Sequence, residues 1–371
     1  IVEDNGYSTG SCWADYNNDG YVDLFVSNTN SNNNILYQNN GNETFNKITE
    51  GDIVNDGTNS SSCSWADYNN DGFIDLFVTV GDLSNNNNLL YRNDGNGTFT
   101  RITNGDIVNN GGFSSGASWM DYNNDGYVDL FVANTFSENN FLYQNDGGGI
   151  FTRITNGDII TDANSSVGSS WADYNNDGYV DLFVSNDGQN NLMYRNNGNG
   201  TFTKITSGSI VNDVGSSQGN SWADYNNDGF LDLFVANKNS DNNFLYENSG
   251  NRNNWINIVF DGIPIIGTKI SVQADIDGVS TWQHRHVSSQ TGFGSQSLME
   301  PIFGLADASI VDLIKLEWIN GSQESFENQN INQIITISFC SGNKVELWGN
   351  CYDIATTTTL NLSNSDLTGE I

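Results

Sequence analysis

Oxygen-bearing side chains recur at a fixed spacing in five short stretches of this chain of 371 residues. In the first stretch they are Asp15, Asn17, Asp19 and Asp23, and a glycine precedes the carbonyl of Tyr21. Oxygen ligands at positions 1, 3, 5, 7 and 9 of a loop suit a hard cation such as Ca²⁺, and glycine at position 6 permits the sharp turn. The spacing therefore predicts a calcium site in each stretch.

The same donors occur without substitution in four further loops, which makes about five Ca²⁺ sites. They are Asp67, Asn69, Asp71, the carbonyl of Phe73 and Asp75; Asp121, Asn123, Asp125, the carbonyl of Tyr127 and Asp129; Asp173, Asn175, Asp177, the carbonyl of Tyr179 and Asp181; and Asp224, Asn226, Asp228, the carbonyl of Phe230 and Asp232.

A metal-free turn is the alternative for any single loop, because Asp, Asn and Gly all favour turns. Five copies of one ligand set favour the metal. Mg²⁺ is disfavoured, since it takes few protein ligands and keeps several waters. The bidentate glutamate that completes an EF-hand loop is absent, so we expect hairpin loops with a structural role and an affinity on the order of 10⁻⁵ to 10⁻³ M.

Each candidate loop belongs to a longer repeat that begins at a tryptophan: Trp13, Trp65, Trp119, Trp171 and Trp222. Apolar stretches alternate with Asn/Gly turns, which predicts four antiparallel strands per repeat. One such sheet cannot cover both of its apolar faces, whereas sheets arranged radially as propeller blades cover each other. The sequence therefore predicts an all-β fold with a β-propeller of four-stranded blades; a linear β-solenoid is the alternative.

The number of blades is a separate question. Five repeats are present, and the fifth lacks an apolar stretch for a fourth strand after Phe244-Leu245-Tyr246. A propeller ring closes well when a strand from the N-terminal side completes the last blade. The chain opens on Ile1 rather than Met, so we expect a processed or partial chain, and two further blades upstream would make a ring of seven.

The charge is strongly negative, with 45 acidic residues against 12 basic ones and a formal net charge of −33. Nucleic acid is an unsuitable partner, because phosphate binding needs a basic face. Five bound divalent ions would reduce the charge to about −23. Solubility of a surface protein is a further reason for such acidity. No stretch reaches the ~18 apolar residues that a membrane helix requires.

Four cysteines allow three disulfide connectivities. Cys12 and Cys63 hold similar positions just before Trp13 and Trp65, so we predict a bridge between neighbouring repeats; two buried thiols are the alternative.

The loop sequence, followed by Leu and Phe-Val, resembles the FG-GAP/VCBS-type repeat of integrin α-subunit propellers and many secreted bacterial proteins; the likeness covers about residues 1–250. Residues 253–337 resemble the ASPIC/UnbV domain found beside such propellers, as in cartilage acidic protein. The stretches that match include Asn254-Trp255-Ile256, Ser289-Gln290-Thr291-Gly292-Phe293-Gly294-Ser295-Gln296 and Ile302-Phe303-Gly304-Leu305. The resemblance implies no established reaction.

The end of the chain changes character again. Residues 359–371 resemble the opening of an extracellular leucine-rich repeat, and residues 345–352 would form its cap with a Cys340–Cys351 bridge. One such repeat cannot bury its apolar face. We expect either further chain or a neighbouring molecule to cover it, and the latter would make the tail an assembly element. The expected domains are 1–250, 251–338 and 339–371.

These features favour a non-enzymatic, calcium-stabilised extracellular or cell-surface scaffold or adhesion protein. Its expected partners are other extracellular proteins or glycans, or further copies joined through the tail into an oligomer or filament. A carbohydrate-binding propeller is the alternative, although the repeat tryptophans are placed for packing between blades. A polysaccharide-active enzyme is least favoured, because no catalytic Ser/His/Asp set or recurring Glu pair is evident. His284 and His286 flank Arg285 on one strand without a metal-binding neighbour.

Overall fold

The computed structural model describes residues 6–81, 87–261, 266–290, 292–319, 321–338, 344–347 and 350–353. Successive four-stranded antiparallel sheets form its first part, each with its strands in sequence order. The predicted all-β fold with four-stranded blades is confirmed.

The first four blades contain sixteen strands, which are β1 (Tyr7–Ala14), β2 (Asp23–Thr29), β3 (Ile35–Asn39), β4 (Phe45–Ile48), β5 (Ser60–Ala66), β6 (Asp75–Val80), β7 (Leu89–Asn93), β8 (Phe99–Ile102), β9 (Ser114–Met120), β10 (Asp129–Asn134), β11 (Phe141–Asn145), β12 (Phe151–Arg153), β13 (Ser166–Ala172), β14 (Asp181–Asn190), β15 (Leu192–Asn196) and β16 (Phe202–Lys204). Single-turn helices connect the blades at Asp52–Val54, Asp106–Val108, Asp158–Thr161 and Ser209–Asn212.

The fifth blade consists of β17 (Val214–Ala223), β18 (Asp232–Asn237) and β19 (Phe244–Tyr246). No strand follows β19 in this blade within the described residues, as the sequence predicted. On the inner side, β17 pairs with the end of β14, so that the fourth and fifth blades share one seven-stranded sheet. The first strands of successive blades contact one another, so they form the inner side of the assembly. The second strand of a blade that lies between two others is covered on both faces, and every residue of β6 is buried. The total number of blades stays a prediction.

Aromatic pairs join neighbouring blades. Phe183 of the fourth blade meets Trp222 of the fifth edge to face, with ring centroids 6.4 Å apart. Equivalent pairs, with centroids 6.1 to 6.4 Å apart, join the earlier blades: Phe25–Trp65, Phe77–Trp119 and Phe131–Trp171. The predicted role of the repeat tryptophans in packing between blades is confirmed.

The first and fifth blades carry the same aromatic residues on faces that no other described blade covers. Trp13 of the first blade is 36% exposed, whereas Trp65 and Trp222 are 4% and 3% exposed. Phe234 of the fifth blade is 42% exposed, whereas Phe183 is fully buried. The same residue types at the same repeat positions therefore differ only in whether a blade covers them.

This difference gives a matched pair of substitutions. We expect Phe183→Ala to lower the free energy of unfolding by about 3–5 kcal/mol, because it leaves a cavity between two blades. Phe234→Ala should change it by no more than about 0.5 kcal/mol, as is usual for surface positions. Urea unfolding of the two variants beside the parent chain measures both values. Equal losses would contradict the assignment of this pair as the blade interface.

A disulfide joins Cys12 of β1 to Cys63 of β5, with the Cα atoms 6.1 Å apart. The predicted bridge between neighbouring blades is therefore confirmed over the alternative of two thiols. The second predicted bridge lies outside the described residues, which include neither Cys340 nor the side chain of Cys351.

Two further sheets pack face to face after the blades. One has the order β23 (Ile302–Ala306), β20 (Asn254–Asp261) and β26 (Gln333–Ser338); the other has the order β22 (Val279–His286), β21 (Lys269–Ile276), β24 (Val311–Glu317) and β25 (Gln323–Gln329). Their facing apolar side chains form one buried core, which includes Ile258, Val272, Phe303, Ile314 and Leu316. We call this pair of sheets the second module.

A segment of the second module, residues 288–290 and 292–298, runs along the inner strands of the blades. The backbone N–H of Trp13 in the first blade donates to Ser289 Oγ at 3.0 Å. In the fifth blade, the N–H of Asn220 donates to Ser295 Oγ at 2.8 Å. One segment thus contacts both the first and the last blade.

The remaining described residues form a short hairpin, β27 (Lys344–Leu347) and β28 (Asn350–Asp353). The stretch predicted as a leucine-rich repeat, 359–371, lies outside the described residues. None of the helices within the described part of the chain is long and apolar enough to cross a membrane.

Candidate metal loops and their connections

All five candidate loops connect the inner strand of a blade to its second strand, and all five have the same internal hydrogen bonds. In the first, Asp15 accepts the N–H of Asp19 on Oδ1 at 3.0 Å and that of Gly20 on Oδ2 at 2.7 Å. Asp19 in turn accepts the N–H of Tyr21 at 2.9 Å. Gly20 has a φ of +89°, which only glycine adopts without strain. The backbone thus makes the sharp turn that the sequence predicted for this loop.

The aspartate at position 9 begins the second strand and connects three parts of its blade. Asp23 accepts the N–H of Tyr16 on Oδ2 at 3.2 Å and the N–H of Asn39, at the end of β3, on Oδ1 at 2.7 Å. Its counterparts Asp75, Asp129 and Asp232 make the same two bonds. The position-9 aspartates are at most 2% exposed.

These buried carboxylates have no cationic partner. Within the described residues, no loop aspartate forms an ion pair with lysine or arginine; the ion pairs there are Arg92–Asp94, Arg101–Asp56, Lys204–Asp162 and Lys238–Asp187. Burial first, with a smaller contribution from the neighbouring loop carboxylates, raises the pKa of Asp23 to about 7 and the pKa of Asp75 to about 9, against the lowering effect of the backbone N–H groups that each accepts. Buried charges are normally paired or bound to a metal.

The fourth loop supplies a direct test of whether a cation fits. Asp181 is fully buried, and its Oδ2 forms no hydrogen bond of normal geometry among the described residues, although the nearby N–H of Tyr174 favours its ionised form. An unpaired buried carboxylate oxygen is costly unless a positive charge lies beside it. The position-9 residue of this loop therefore suits a bound cation.

The charged side chains of the loops do not form a complete metal-binding cluster. In the described part of the chain, no three side chains of Asp, Glu, His or Cys are placed so that they could hold a metal ion. The carboxylates accept N–H groups of their own loop instead. The predicted ligand set also includes an asparagine side chain and a backbone carbonyl. These two groups do not belong to the four residue types just considered. The twenty-five ligand assignments and Ca²⁺ itself stay predictions.

The asparagine at position 4 has a role that the sequence did not reveal. Asn18 lies in the left-handed region, and its Nδ2 donates to the carbonyl of Gly72 in the next loop at 3.1 Å. The same bond links the second loop to the third, the third to the fourth and the fourth to the fifth, at 2.9 to 3.1 Å: Asn70 to Gly126, Asn124 to Gly178 and Asn176 to Gly229. The five loops therefore form one connected chain.

A second recurring asparagine also joins neighbouring blades. Asn93, at the end of β7, donates through Nδ2 to the carbonyl of Ile74 in its own blade and to that of Tyr16 in the preceding blade, at 3.1 and 2.7 Å. Its counterparts are Asn145, Asn196 and Asn248. The repeated Tyr-x-Asn in the third strand was the available signal for this role.

The second module lies against the loops of the third, fourth and fifth blades. The N–H of Ala306 donates to the carbonyl of Asn176 at 2.8 Å, and Lys269 Nζ donates to that of Gly126 at 3.1 Å. Arg285 is 6% exposed and lies above the ring of Phe303, with 5.2 Å from Cζ to the centroid. Its charge favours the ionised forms of Asp121 and Asp173 in the third and fourth loops.

The two histidines of the second module have different surroundings. His284 Nδ1 hydrogen-bonds with Ser271 Oγ at 2.8 Å, and its ring stacks on Trp282. Burial lowers the pKa of His284 to about 4 and that of His286 to about 3, and nearby Lys269 contributes in the same direction. Both imidazoles are therefore neutral at neutral pH.

Comparison with known families agrees with this architecture. A family model for the FG-GAP-like repeat matches residues 15–78, 67–132, 121–184 and 173–235. The chain belongs to the FG-GAP-like repeat family. A second model, for ASPIC and UnbV, matches residues 263–344. These matches do not support the leucine-rich-repeat tail or the comparison with cartilage acidic protein. A search of curated proteins finds no match.

Solved structures share only distant similarity with this chain. The biofilm matrix protein Bap1 of V. cholerae has 15% identity and a TM-score of 0.39, covering 88% of this chain and 60% of its own. A Tc holotoxin pore of Photorhabdus luminescens has the same identity and score, covering 66% and 11%. A rhamnogalacturonan lyase of Bacillus licheniformis has 11% identity and a TM-score of 0.37, covering 89% and 72%. At these scores the similarities carry no argument about function.

The links between loops can be tested with a matched pair of variants. Asn124 and Asn227 hold the same loop position with the same φ of +59°, but Asn227 belongs to the last described blade and has no next loop to bind. Glycine adopts this φ without strain. We expect Asn124→Gly to cost about 1 kcal/mol of unfolding free energy, since it removes one hydrogen bond.

Asn227→Gly is the control and should cost no more than about 0.5 kcal/mol. Chemical denaturation of both variants gives the comparison. A loss that is the same for both variants would mean that the bond between loops contributes nothing.

Proposed function

We propose that this chain is a non-enzymatic, calcium-stabilised scaffold or adhesion protein that works outside the cell. The observation that carries the proposal is the set of five alike loops whose position-9 carboxylates are buried without a cationic partner. A divalent ion in each loop would offset this charge. The FG-GAP-like and ASPIC/UnbV families are in general non-catalytic, which supports the non-enzymatic part.

The residues that would hold the ion also explain why its binding would stabilise the fold. In the first loop they are Asp15, Asn17, Asp19, the carbonyl of Tyr21 and Asp23. Because position 1 follows the inner strand and position 9 begins the second strand, one ion would connect both. The bound ion supplies positive charge, while the loop residues fix the turn and the neighbouring asparagines connect it to the next blade.

The extracellular location rests on two properties of the chain. The Cys12–Cys63 disulfide is typical of proteins from oxidising compartments. The surplus of acidic side chains suits a soluble surface protein. We infer other extracellular proteins or glycans as partners. Carbohydrate binding through the repeat tryptophans loses support, because Trp65 and Trp222 are buried between blades.

Removal of calcium tests the metal directly. We expect the melting temperature to fall when a chelator is added and to recover with Ca²⁺, and to recover less with the same concentration of Mg²⁺. At a calcium concentration of about twenty times Kd, each site would contribute about 1.8 kcal/mol. Differential scanning calorimetry with and without chelator is the measurement. A melting temperature unchanged by chelation would refute the calcium proposal.

A matched pair of variants tests whether calcium binds in the loops. Asp19→Asn removes one charged ligand at an exposed position, whereas Asp312→Asn makes the same charge change on the exposed side of β24. We expect titration calorimetry to show one fewer calcium site for Asp19→Asn and an unchanged number for Asp312→Asn.

Assembly through the C-terminal tail is a separate part of the proposal. We expect the chain to self-associate at high concentration and expect removal of residues 354–371 to abolish this. Sedimentation velocity of both forms over a range of concentrations is the measurement. A full chain that stays monomeric throughout would refute assembly and leave the calcium proposal untouched.

A further inference from the structure

A cleft of about 400 Å³ separates the loop of the second blade from the second module. The module lies directly against the loops of the third to fifth blades, but here the two parts diverge. Clefts of a few hundred cubic ångströms between two structural units are common places for small-molecule sites. The cleft is therefore a candidate binding site beside the second metal loop.

One wall of the cleft is a row of polar residues across the four-stranded sheet of the second module. His286 pairs with Lys269, Lys269 with Glu317, and Glu317 with Gln323, each on a neighbouring strand. All four side chains line the cleft. Directly opposed residues on antiparallel strands have Cβ atoms about 4.5–5.5 Å apart. The row therefore presents closely spaced hydrogen-bonding groups with both a donor and an acceptor character.

The hydrogen-bonding capacity of this row is largely unused by the protein. Among the described residues, the side chains of His286, Glu317 and Gln323 have no hydrogen-bond partner, and Lys269 forms no ion pair with Glu317 across the strands. The one bond of Lys269 Nζ goes to the carbonyl of Gly126. Three of the four polar side chains are therefore available to a ligand, and the ammonium group of Lys269 keeps two further N–H donors.

The opposite wall comes from the loop of the second blade. The carboxylate oxygens of Asp67 accept the N–H groups of Asp71 and Gly72, and those of Asp71 accept from Phe73 and Asn69. These bonds partly offset the negative charge of the loop. Apolar surface from Trp318, Ile319 and Ile74 completes the lining.

The polar row, the loop carboxylates and the apolar lining together favour some classes of ligand over others. An anionic ligand would face Glu317 and the carboxylates of Asp67 and Asp71, whose loop would stay negative with a divalent ion bound because it holds three aspartates, and one lysine would be left to pair with the ligand. A hydroxyl group both donates and accepts, so adjacent hydroxyls match a row in which Lys269 donates and Glu317 accepts. The carbon faces of a sugar ring would pack on the apolar lining. The cleft volume suits a ligand of about two sugar units.

We propose that the cleft between the second blade's loop and the second module binds a neutral saccharide through the row of His286, Lys269, Glu317 and Gln323. The site adjoins the second calcium loop, whose Asp67 and Asp71 form its opposite wall, and it gives the glycan partners of the proposed function a specific place to bind. It also differs from binding through the repeat tryptophans, since polar side chains of the second module would make the contacts.

Titration of the calcium-loaded chain with neutral disaccharides tests the site, and cellobiose, lactose, chitobiose and mannobiose are suitable probes. Digalacturonate and spermidine represent the anionic and cationic classes. We expect at least one neutral disaccharide to bind, with a change in tryptophan fluorescence because Trp65 and Trp318 line the cleft. Glu317→Gln and Gln323→Ala should each weaken that binding by at least about tenfold.

Asp312→Asn is the matched control, since it removes an exposed carboxylate from the same strand outside the cleft, and it should leave the affinity unchanged. The proposal is overturned if no neutral disaccharide binds at millimolar concentration, if only digalacturonate or spermidine binds, or if Glu317→Gln and Gln323→Ala both leave the affinity unchanged. Calcium binding measured on the same samples separates the two proposals: saccharide failure with intact calcium binding refutes only the cleft.

Discussion

The architecture depends on one interaction, the buried carboxylate at the start of each second strand. Asp23 accepts backbone N–H groups from Tyr16, which follows the inner strand, and from Asn39, at the end of the third. One side chain thus fixes the relative positions of three strands. The cost is a negative charge held away from water, and the raised pKa of Asp75 expresses that cost. Because five blades repeat this buried carboxylate, negative charge accumulates at one edge of the fold. Bound cations would offset that charge.

The same edge also determines how blades and modules join. Each of the first four loops uses the asparagine after its second predicted ligand to bind the next loop. Asn124 and Gly178 thus connect two blades through a polar bond, while Phe131 and Trp171 connect them through an apolar contact. The second module then fits onto the assembled edge. It needs close approach, since a Cβ on Gly116 would lie 2.8 Å from Phe293 Cβ. The fit therefore depends on correct spacing of the blades.

The sequence alone was sufficient to predict the parts of this fold in which neighbouring segments of the chain pair with each other. The period of the tryptophans and the apolar stretches predicted four strands per blade and the incomplete fifth blade, because strand pairing within a blade is local. The roles of Asn18 and Asn93 were not predictable in this way, since their acceptors belong to other blades. The contact of Ser289 with Trp13 spans most of the chain. Whether Cys12 and Cys63 pair depended on a distance between blades that spacing alone leaves open.

Five copies of one ligand set do not make five equal sites. Asp173 is 2% exposed beneath the second module, where Gly304 lies against its carboxylate, and Arg285 supplies nearby positive charge. Asp224 in the fifth loop is more exposed. Burial strengthens the attraction of a carboxylate for an ion, while a fixed guanidinium opposes the entry of a second positive charge. If Ca²⁺ binds as proposed, its affinity and exchange rate should therefore differ from loop to loop according to what covers each loop, because the predicted ligand residues are the same in all five.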